Sequence, residues 1–546
     1  MFYHGASVIL TLGRAASLPS PVAPEAMAQW AREQAERAMA RPAASMPLSQ
    51  RLARPEDYRR LQRQRRRDAE ALLRLGQDPQ TLPRLMDLLC AIMEESSWAD
   101  RGGEEAFDDE GHPEIDFQCA ETAVLLAWVA RGMGGALDSR TQAKLLYEVR
   151  RRVFSPFLAH MDYPFMRGRG PRPMAILADI LLSALILESD TSRRGAILKH
   201  TLRQLDQCAA MRERKNEALA DAAAETGAVT DLALLLRLAT QGDFDVTAEY
   251  PREDWLDDLL FAWIDGEYFV DPPTGDMRPA ISGAEFYRIG LTAGDEALAG
   301  LGARLWRLTR RPSATVTGRI MDLSCAAQLE AESAKPPRLK HAATAGNRLM
   351  ASRFSGFTCA MHTGGRANAG DLVLFYSGRP ILVETPAGGS LPVMDGSGQL
   401  PLPDEPCEAD FELRNDREAM SIELTHAYKT SALLRSYQRT AMIMRPDGAI
   451  RHEGMLRLVE AMELTSPNHV TFVFLTPEAP AAIRRGLRLG PVELTWDAEL
   501  DCRVETLDER FPAGADAGNP LTRIELTTAQ PVSRAFFNFN FTVAQT

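Results

Sequence analysis

Phe537-Asn538-Phe539-Asn540-Phe541-Thr542, close to the C-terminus, sets three phenylalanines at alternate positions with polar residues between them. Successive side chains of a strand point to opposite faces, so the three rings share one face and Asn538, Asn540 and Thr542 the other. That is the pattern of a half-buried β-strand, and the chain upstream keeps the same period. Arg348 to Cys359, Asp371 to Glu384, Met420 to Leu424, Ser436 to Met444, His469 to Leu475 and Val492 to Asp497 alternate or form short apolar runs. Turn signals such as Ser377-Gly378-Arg379-Pro380 and Arg445-Pro446-Asp447-Gly448 fill the gaps. Many short strands with hairpin turns and no helices between them predict antiparallel sheets stacked as a β-sandwich.

Upstream of about Pro336 the period changes to 3.6. Tyr58 to Leu75, Leu82 to Glu95, Cys119 to Met133, Gln142 to Leu158, Ala175 to Glu188 and Thr230 to Thr240 are each one helix long, and most end at a turn signal such as Gly134-Gly135 or Gly242-Asp243. Asp190-Thr191-Ser192 can cap a helix starting near Arg193. About ten such helices without strands predict an all-α layer or toroid. The expected fold class is therefore α+β multidomain: an incomplete (α/α) toroid followed by an antiparallel β-sandwich. The expected boundaries are an N-terminal extension over 1–23, the toroid over 24–335 and the sandwich over 336–546, with the linker in Glu330 to Lys340.

The 546 residues, 45% hydrophobic and 25% charged, suit a globular protein of more than one domain. Acidic residues outnumber basic ones 74 to 62, a net charge of -12, which argues against general nucleic-acid binding. A local Arg cluster can still take an acidic ligand. Seven cysteines lie far apart without a CxxC pair, so they read as reduced thiols, not a disulfide framework or zinc ribbon. The start lacks a basic n-region, and the longest apolar stretch, Ala175 to Leu187, is interrupted by Asp179 and too short to span a bilayer. A cytoplasmic protein without a membrane partner is expected, with a periplasmic or secreted one the lesser alternative.

No Walker loop, GxGxxG, HExxH, GxSxG or EF-hand loop is present. What stands out is an ordered set of phrases. Glu94-Glu95-Ser96-Ser97-Trp98 comes first, then Ala120-Glu121-Thr122-Ala123, Gly266-Glu267-Tyr268-Phe269-Val270 and Tyr287-Arg288-Ile289-Gly290. Gly378-Arg379-Pro380-Ile381-Leu382-Val383-Glu384 and Leu391-Pro392-Val393-Met394-Asp395-Gly396 follow. Over roughly residues 55 to 546 this series resembles the heparinase II/III-like polysaccharide lyases. The resemblance implies a toroid packed against a sandwich, and cleavage of uronic-acid polysaccharides by β-elimination. That chemistry needs a neutralised sugar carboxylate, a base for the C5 proton and an acid for the leaving oxygen.

The chain departs from the family at each of those places. Where the family has Asn-Trp stands Pro171-Arg172-Pro173-Met174-Ala175, and the proton-transferring Tyr becomes Asp221, a weaker base than tyrosinate. The His-Asn-Asp-x-Gly phrase becomes Arg366-Ala367-Asn368-Ala369-Gly370. Glu384 keeps an acidic metal-ligand position, yet Gly389 falls where a His is expected. One carboxylate without histidines holds zinc poorly, so neither metal nor cofactor is expected.

His160 and Tyr163 are the candidates for a rebuilt catalytic pair; the plainer reading is a structural His and Tyr, each with one polar tip satisfied. For substrate binding the candidates are Arg167, Arg169 and Arg172 on a Gly-loosened loop, whose guanidiniums can clamp carboxylate or sulfate. Glu95 and Trp98 could meet a sugar ring, or be a buried carboxylate and a core indole. Arg366, with Arg379, could add positive charge from the sandwich. Three classes of function follow: an acidic-oligosaccharide binder on a lyase scaffold with a degraded site, an active lyase with a rebuilt site, and a structural protein that oligomerises through its sandwich. Self-association is left open.

Overall fold

The computed structural model describes residues 18–41, 46–47, 51, 53–100, 114–160, 163–167, 172–211, 219–246, 260, 262–270, 277–279, 281–332, 341–343, 349–354, 356–364, 368–385, 389–400, 407–444, 454–511 and 518–544. Two units emerge from its contacts. The first comprises Met1–Glu213, Asp221–Pro251 and Ile281–Pro336; the second comprises Arg214–Ala220, Arg252–Ala280 and Pro337–Thr546.

The first unit is helical: α1 (Ala28–Ala40), α2 (Pro55–Leu73), α3 (Leu82–Met93), α4 (Phe117–Met133), α5 (Ser139–Val149), α6 (Ser155–Ala159), α7 (Pro173–Leu187), α8 (Thr191–Met211), α9 (Leu219–Ala239), α10 (Gly283–Ala293), α11 (Glu296–Thr309) and α12 (Val316–Ala331). Local chemistry sets the starts. Asp116 accepts from the Cys119 N–H at 2.8 Å, Asp190 from the Arg193 N–H at 3.0 Å, and Ser282 forms a reciprocal box with Glu285. The single helix expected over Gln142 to Leu158 is α5 joined to α6 through a π turn, Arg150–Phe154. Helices α4 and α7 are apolar almost all round and buried, as central helices of an all-α layer must be. Glycines bring α10 and α11 together: a Cβ on Gly283 would lie 2.2 Å from the Trp306 nitrogen, and one on Gly302 2.3 Å from that of Tyr287.

The second unit is antiparallel sheet. Its strands are β1 (Trp263–Asp265), β2 (Tyr268–Phe269), β3 (His341–Ala343), β4 (Leu349–Phe354), β5 (Phe357–His362), β6 (Leu372–Tyr376), β7 (Arg379–Leu382), β8 (Val393–Met394), β9 (Ala409–Leu413) and β10 (Arg417–Glu423). They continue as β11 (Leu434–Met444), β12 (Met455–Asn468), β13 (Val470–Thr476), β14 (Ala481–Ile483), β15 (Gly486–Leu489), β16 (Val492–Trp496), β17 (Leu500–Arg510), β18 (Pro520–Thr528) and β19 (Val532–Val543). Strands β3 to β7 form one meander. An eight-stranded sheet runs β14-β15-β16-β19-β12-β11-β10-β9, and a four-stranded sheet runs β17-β18-β13-β8. The phenylalanine face of β19 packs on β13: Phe472 meets Phe537 at 4.7 Å and Phe474 meets Phe539 at 5.2 Å, both edge-to-face. The sandwich core is thus the alternation read from the sequence. Strands β1 and β2 lie upstream of the change of period, yet Ile264, Tyr268 and the adjoining Val270 share an apolar cluster with Ala351, Ala360 and Phe375. Apolar burial assigns that hairpin to the sheet unit.

Candidate functional site

In the helical unit, the residues expected to meet a sugar are taken into the protein. Glu95 is 2% exposed; its carboxylate accepts from Arg65 Nη1 at 3.1 Å, Arg66 Nη2 at 2.7 Å and Gln62 Nε2 at 3.3 Å. Trp98, 1% exposed, donates Nε1–H to the Ile92 carbonyl at 2.9 Å, and the Arg152 guanidinium lies 4.9 Å above its ring. The carboxylate is saturated and the indole covered, so both residues hold the α2–α3 corner together.

His160 and Tyr163 are brought together. Their rings meet edge-on at 6.1 Å, His160 half-buried at the end of α6 and Tyr163 stacked on Phe165 at 5.6 Å. Arg167 is exposed at the end of the turn Pro164–Arg167. Arg172 immediately precedes α7 with φ 57°, its guanidinium 4.8 Å over the Phe117 ring. Arg169 and Arg366 lie outside the described residues. Asp221, which the sequence resemblance set against a lyase Tyr, is exposed in the first turn of α9.

Charge gathers around α7. Arg319 of α12 pairs with both oxygens of Glu70 at 2.7 Å and approaches Glu121 Oε2 at 4.0 Å, while Glu121 Oε1 accepts from the Val316 N–H at 2.9 Å. Asp179, in the middle of α7, is buried, and its Oδ2 has no hydrogen-bond partner among the described residues. Burial pushes the Glu121 carboxyl up to about 7 against the pull of Arg319, and burial with the nearby Glu121 charge raises Asp179 well above the carboxylate range. The Met174 N–H at the start of α7 donates to Glu225 at 2.9 Å. Glu121, with a side chain 14% exposed, can therefore hold or release a proton near neutral pH. Neither acid was a candidate from sequence, although Asp179 interrupts an apolar run and Glu121 sits in a family phrase.

In the sheet unit, the structure supplies what the sequence reading denied. His362, at the end of β5, places Nε2 2.6 Å from Glu384 Oε1, both buried. Asp371, at the start of β6, accepts through Oδ1 from the N–H groups of Leu372 at 3.0 Å and Ser390 at 2.6 Å. Burial, and then the Glu384 charge, push the Asp371 carboxyl up to about 7. A Cβ on Gly389 would sit 2.0 Å from Asp371 Oδ2, so a larger residue there would have to displace that carboxylate. Arg439, 1% exposed, donates Nη1–H to the carbonyls of Gly370 and Ser390, both at 2.5 Å, and pairs with Glu460. Glu384 thus has a histidine, contrary to the sequence reading. Asp371 Oδ1 is taken by two donors, and no group of three His, Cys, Asp or Glu able to hold an ion occurs among the described residues. The arrangement pins the chain around Gly370 to that around Ser390.

A groove of about 610 Å³ beside α1 and the end of α2, lined by Ala31, Ala35 and Arg74 among others, holds none of the expected residues. No described helix is long and apolar enough to cross a membrane.

No protein-family model matches the chain, and no curated protein does. Solved structures do. A mutant chondroitin AC lyase of Streptomyces coelicolor A3 aligns with 100% of this chain and 82% of its own, at TM-score 0.56 and 14% identity. The same lyase in complex with chondroitin sulphate gives 0.52 and 13% over the same shares. A mutant heparan sulfate lyase from Pedobacter heparinus covers 89% of each chain at TM-score 0.43 and 12% identity, too slight a likeness to build on. At these identities the likeness is one of architecture: the chain has the fold of that chondroitin AC lyase, a helical toroid followed by a β-sandwich.

Proposed function

We propose that this protein binds acidic, uronate-containing oligosaccharide on a lyase scaffold whose usual catalytic groups have been replaced. The carrying observation is at the start of α7. The exposed Arg167 and the half-buried Arg172 present guanidiniums there, while the stretch matching the family's Asn-Trp turns Met174 and Ala175 into the core. Guanidinium planes suit carboxylate and sulfate, and a bidentate pair fixes orientation as well as charge. A solved neighbour of this fold holds chondroitin sulphate, which supports an acidic glycan as the ligand class. Turnover would need a base strong enough for the C5 proton, and the exposed Asp221 is a poor replacement for Tyr.

A second reading has its own support: the edge-on contact of His160 with Tyr163 and the raised carboxyl of Glu121 offer proton carriers for a rebuilt lyase. One experiment separates the two. Calorimetric titration with uronate oligosaccharides should show binding by the wild type and loss of it in the Arg167→Ala, Arg169→Ala, Arg172→Ala triple variant, with the melting temperature of the variant little changed. In parallel, the ultraviolet absorbance of an unsaturated uronide should stay flat with heparin, heparan, hyaluronan, chondroitin and alginate. Equal affinity in the two proteins removes the Arg loop from the site. Absorbance growth that disappears in Tyr163→Phe or Glu121→Gln replaces the first reading with the second.

A further inference from the structure

Strand β17 closes one end of the four-stranded sheet, and among the described residues its outer edge pairs with no strand. It is exposed on both faces from Asp501 to Thr506. On one face Cys502, Val504 and Thr506 stand beside Leu526, Ile524 and Thr522 of β18, which are buried. The strand therefore overhangs the core, with Val504 44% exposed. A long free edge of this kind is a template for another strand unless something blocks it.

The other face carries charge in a definite order. Arg503 lies opposite Glu525 and Glu505 opposite Arg523. Along the strands, Arg503 pairs with Glu505 at 3.4 Å and Arg523 with Glu525 at 3.0 Å. The four residues form a checkerboard of alternating sign. An antiparallel pairing of two identical edges has its two-fold axis perpendicular to the sheet. With the axis at Val504, Arg503 of each copy faces Glu505 of the other. Read across the joined sheet, the order is Glu525, Arg503, then Glu505 and Arg523 of the second copy, so the alternation continues unbroken. With this axis the edge attracts its own image. An axis at Arg503 would set Asp501 against Glu505, and an axis at Glu505 would set Asp501 against Glu509. An axis at Cys502 pairs Asp501 with Arg503 but joins only the first five residues of β17.

We propose that two copies of this chain associate edge to edge through β17, antiparallel, about a two-fold axis at Val504. Main-chain hydrogen bonds supply the affinity, and the Arg503–Glu505 pairs favour this register over axes at Arg503 or Glu505. The inference is independent of the glycan reading.

The test is charge reversal followed by sedimentation. The wild type should sediment as a concentration-dependent dimer. Arg503→Glu and Glu505→Arg should each weaken it about ten-fold or more, because either change turns two cross-strand pairs repulsive. The double variant should recover most of the affinity lost in the single variants, since it restores opposite charges across the interface, while its pairs with Glu525 and Arg523 inside each chain become like-charged. Both side chains are exposed, so circular dichroism should be unchanged. In a Cys502→Ser background, Val504→Cys should cross-link on mild oxidation by dissolved oxygen, because directly opposed residues bring their Cα atoms to about 4.5–5.5 Å, within disulfide range. A wild type that stays monomeric, a dimer indifferent to both single reversals, or cross-linking through Cys502 in the wild type would each overturn the proposal.

Discussion

Glu95 and Asp371 are both carboxylates inside the protein, and their surroundings give them different consequences. Glu95 is met by two guanidiniums and an amide, so its charge is satisfied where it lies. Asp371 has two backbone donors on one oxygen, but burial and the charge of Glu384 work against its ionised form. Its folded value, about 7, lies above the 3.8 of the unfolded chain. The folded state therefore holds the proton more tightly, and the stability this gives is full below pH 4 and lost as pH rises towards 7. Asp371→Asn keeps an acceptor for Leu372 and Ser390 but cannot ionise. Its melting temperature should match the wild type near pH 3 and fall less steeply up to pH 8. Glu121 and Asp179 act with the same sign, so some slope remains. Parallel melting curves for the two proteins would show that Asp371 does not titrate in this range. The sequence displayed these acids but not their partners: Arg65 and Arg66 are some thirty residues from Glu95, and nothing local connects them.

Elements were legible where burial differed between two faces, and hidden where it did not. The alternation at Phe537, Phe539 and Phe541 named β19 because one side of it is core. Strand β17, exposed on both faces, gives no such contrast and went unread, as did β12, whose Met, Leu, Glu and Ala are good helix formers. Pairing with β11 and β19 over most of its length overrides that propensity. Helix α9 begins well before the expected Thr230, because Ala222 to Ala224 are small residues whose pattern of burial carries little apolar contrast. A paired measurement checks the reading of β19. Phe539→Ala removes a fully buried ring that meets both Phe472 and Phe474, and should cost about 3–5 kcal/mol in denaturant unfolding. Phe536→Ala, its 66% exposed neighbour on the opposite face, should stay within about 0.5 kcal/mol. Equal costs would mean that the face assignment of β19 is wrong.

At the scale of the molecule, the two-part fold was readable from the change of period near Pro336, whereas the chemistry was not, since residues such as Glu121 and Arg319 meet only through folding. Net charge adds a constraint that no single residue shows. The chain carries -12, so under the glycan proposal an acidic oligosaccharide is repelled at long range and held at short range by Arg167 and Arg172. Salt acts on the two ranges differently. At about 0.01 M the screening length is about 30 Å and the whole molecule is felt; at 0.15 M it is about 8 Å and only nearby charges count. If the glycan proposal is right, the association rate should rise several-fold between these salts as the distant repulsion is screened. Above that, the dissociation rate should climb as the guanidinium contacts weaken, so that affinity passes through a maximum. Surface-plasmon or stopped-flow kinetics over a salt series would resolve both rates. An association rate that falls steadily from the lowest salt would show instead that a positive field extends well beyond the Arg loop, and the binding surface would have to be sought over a wider face of the helical unit.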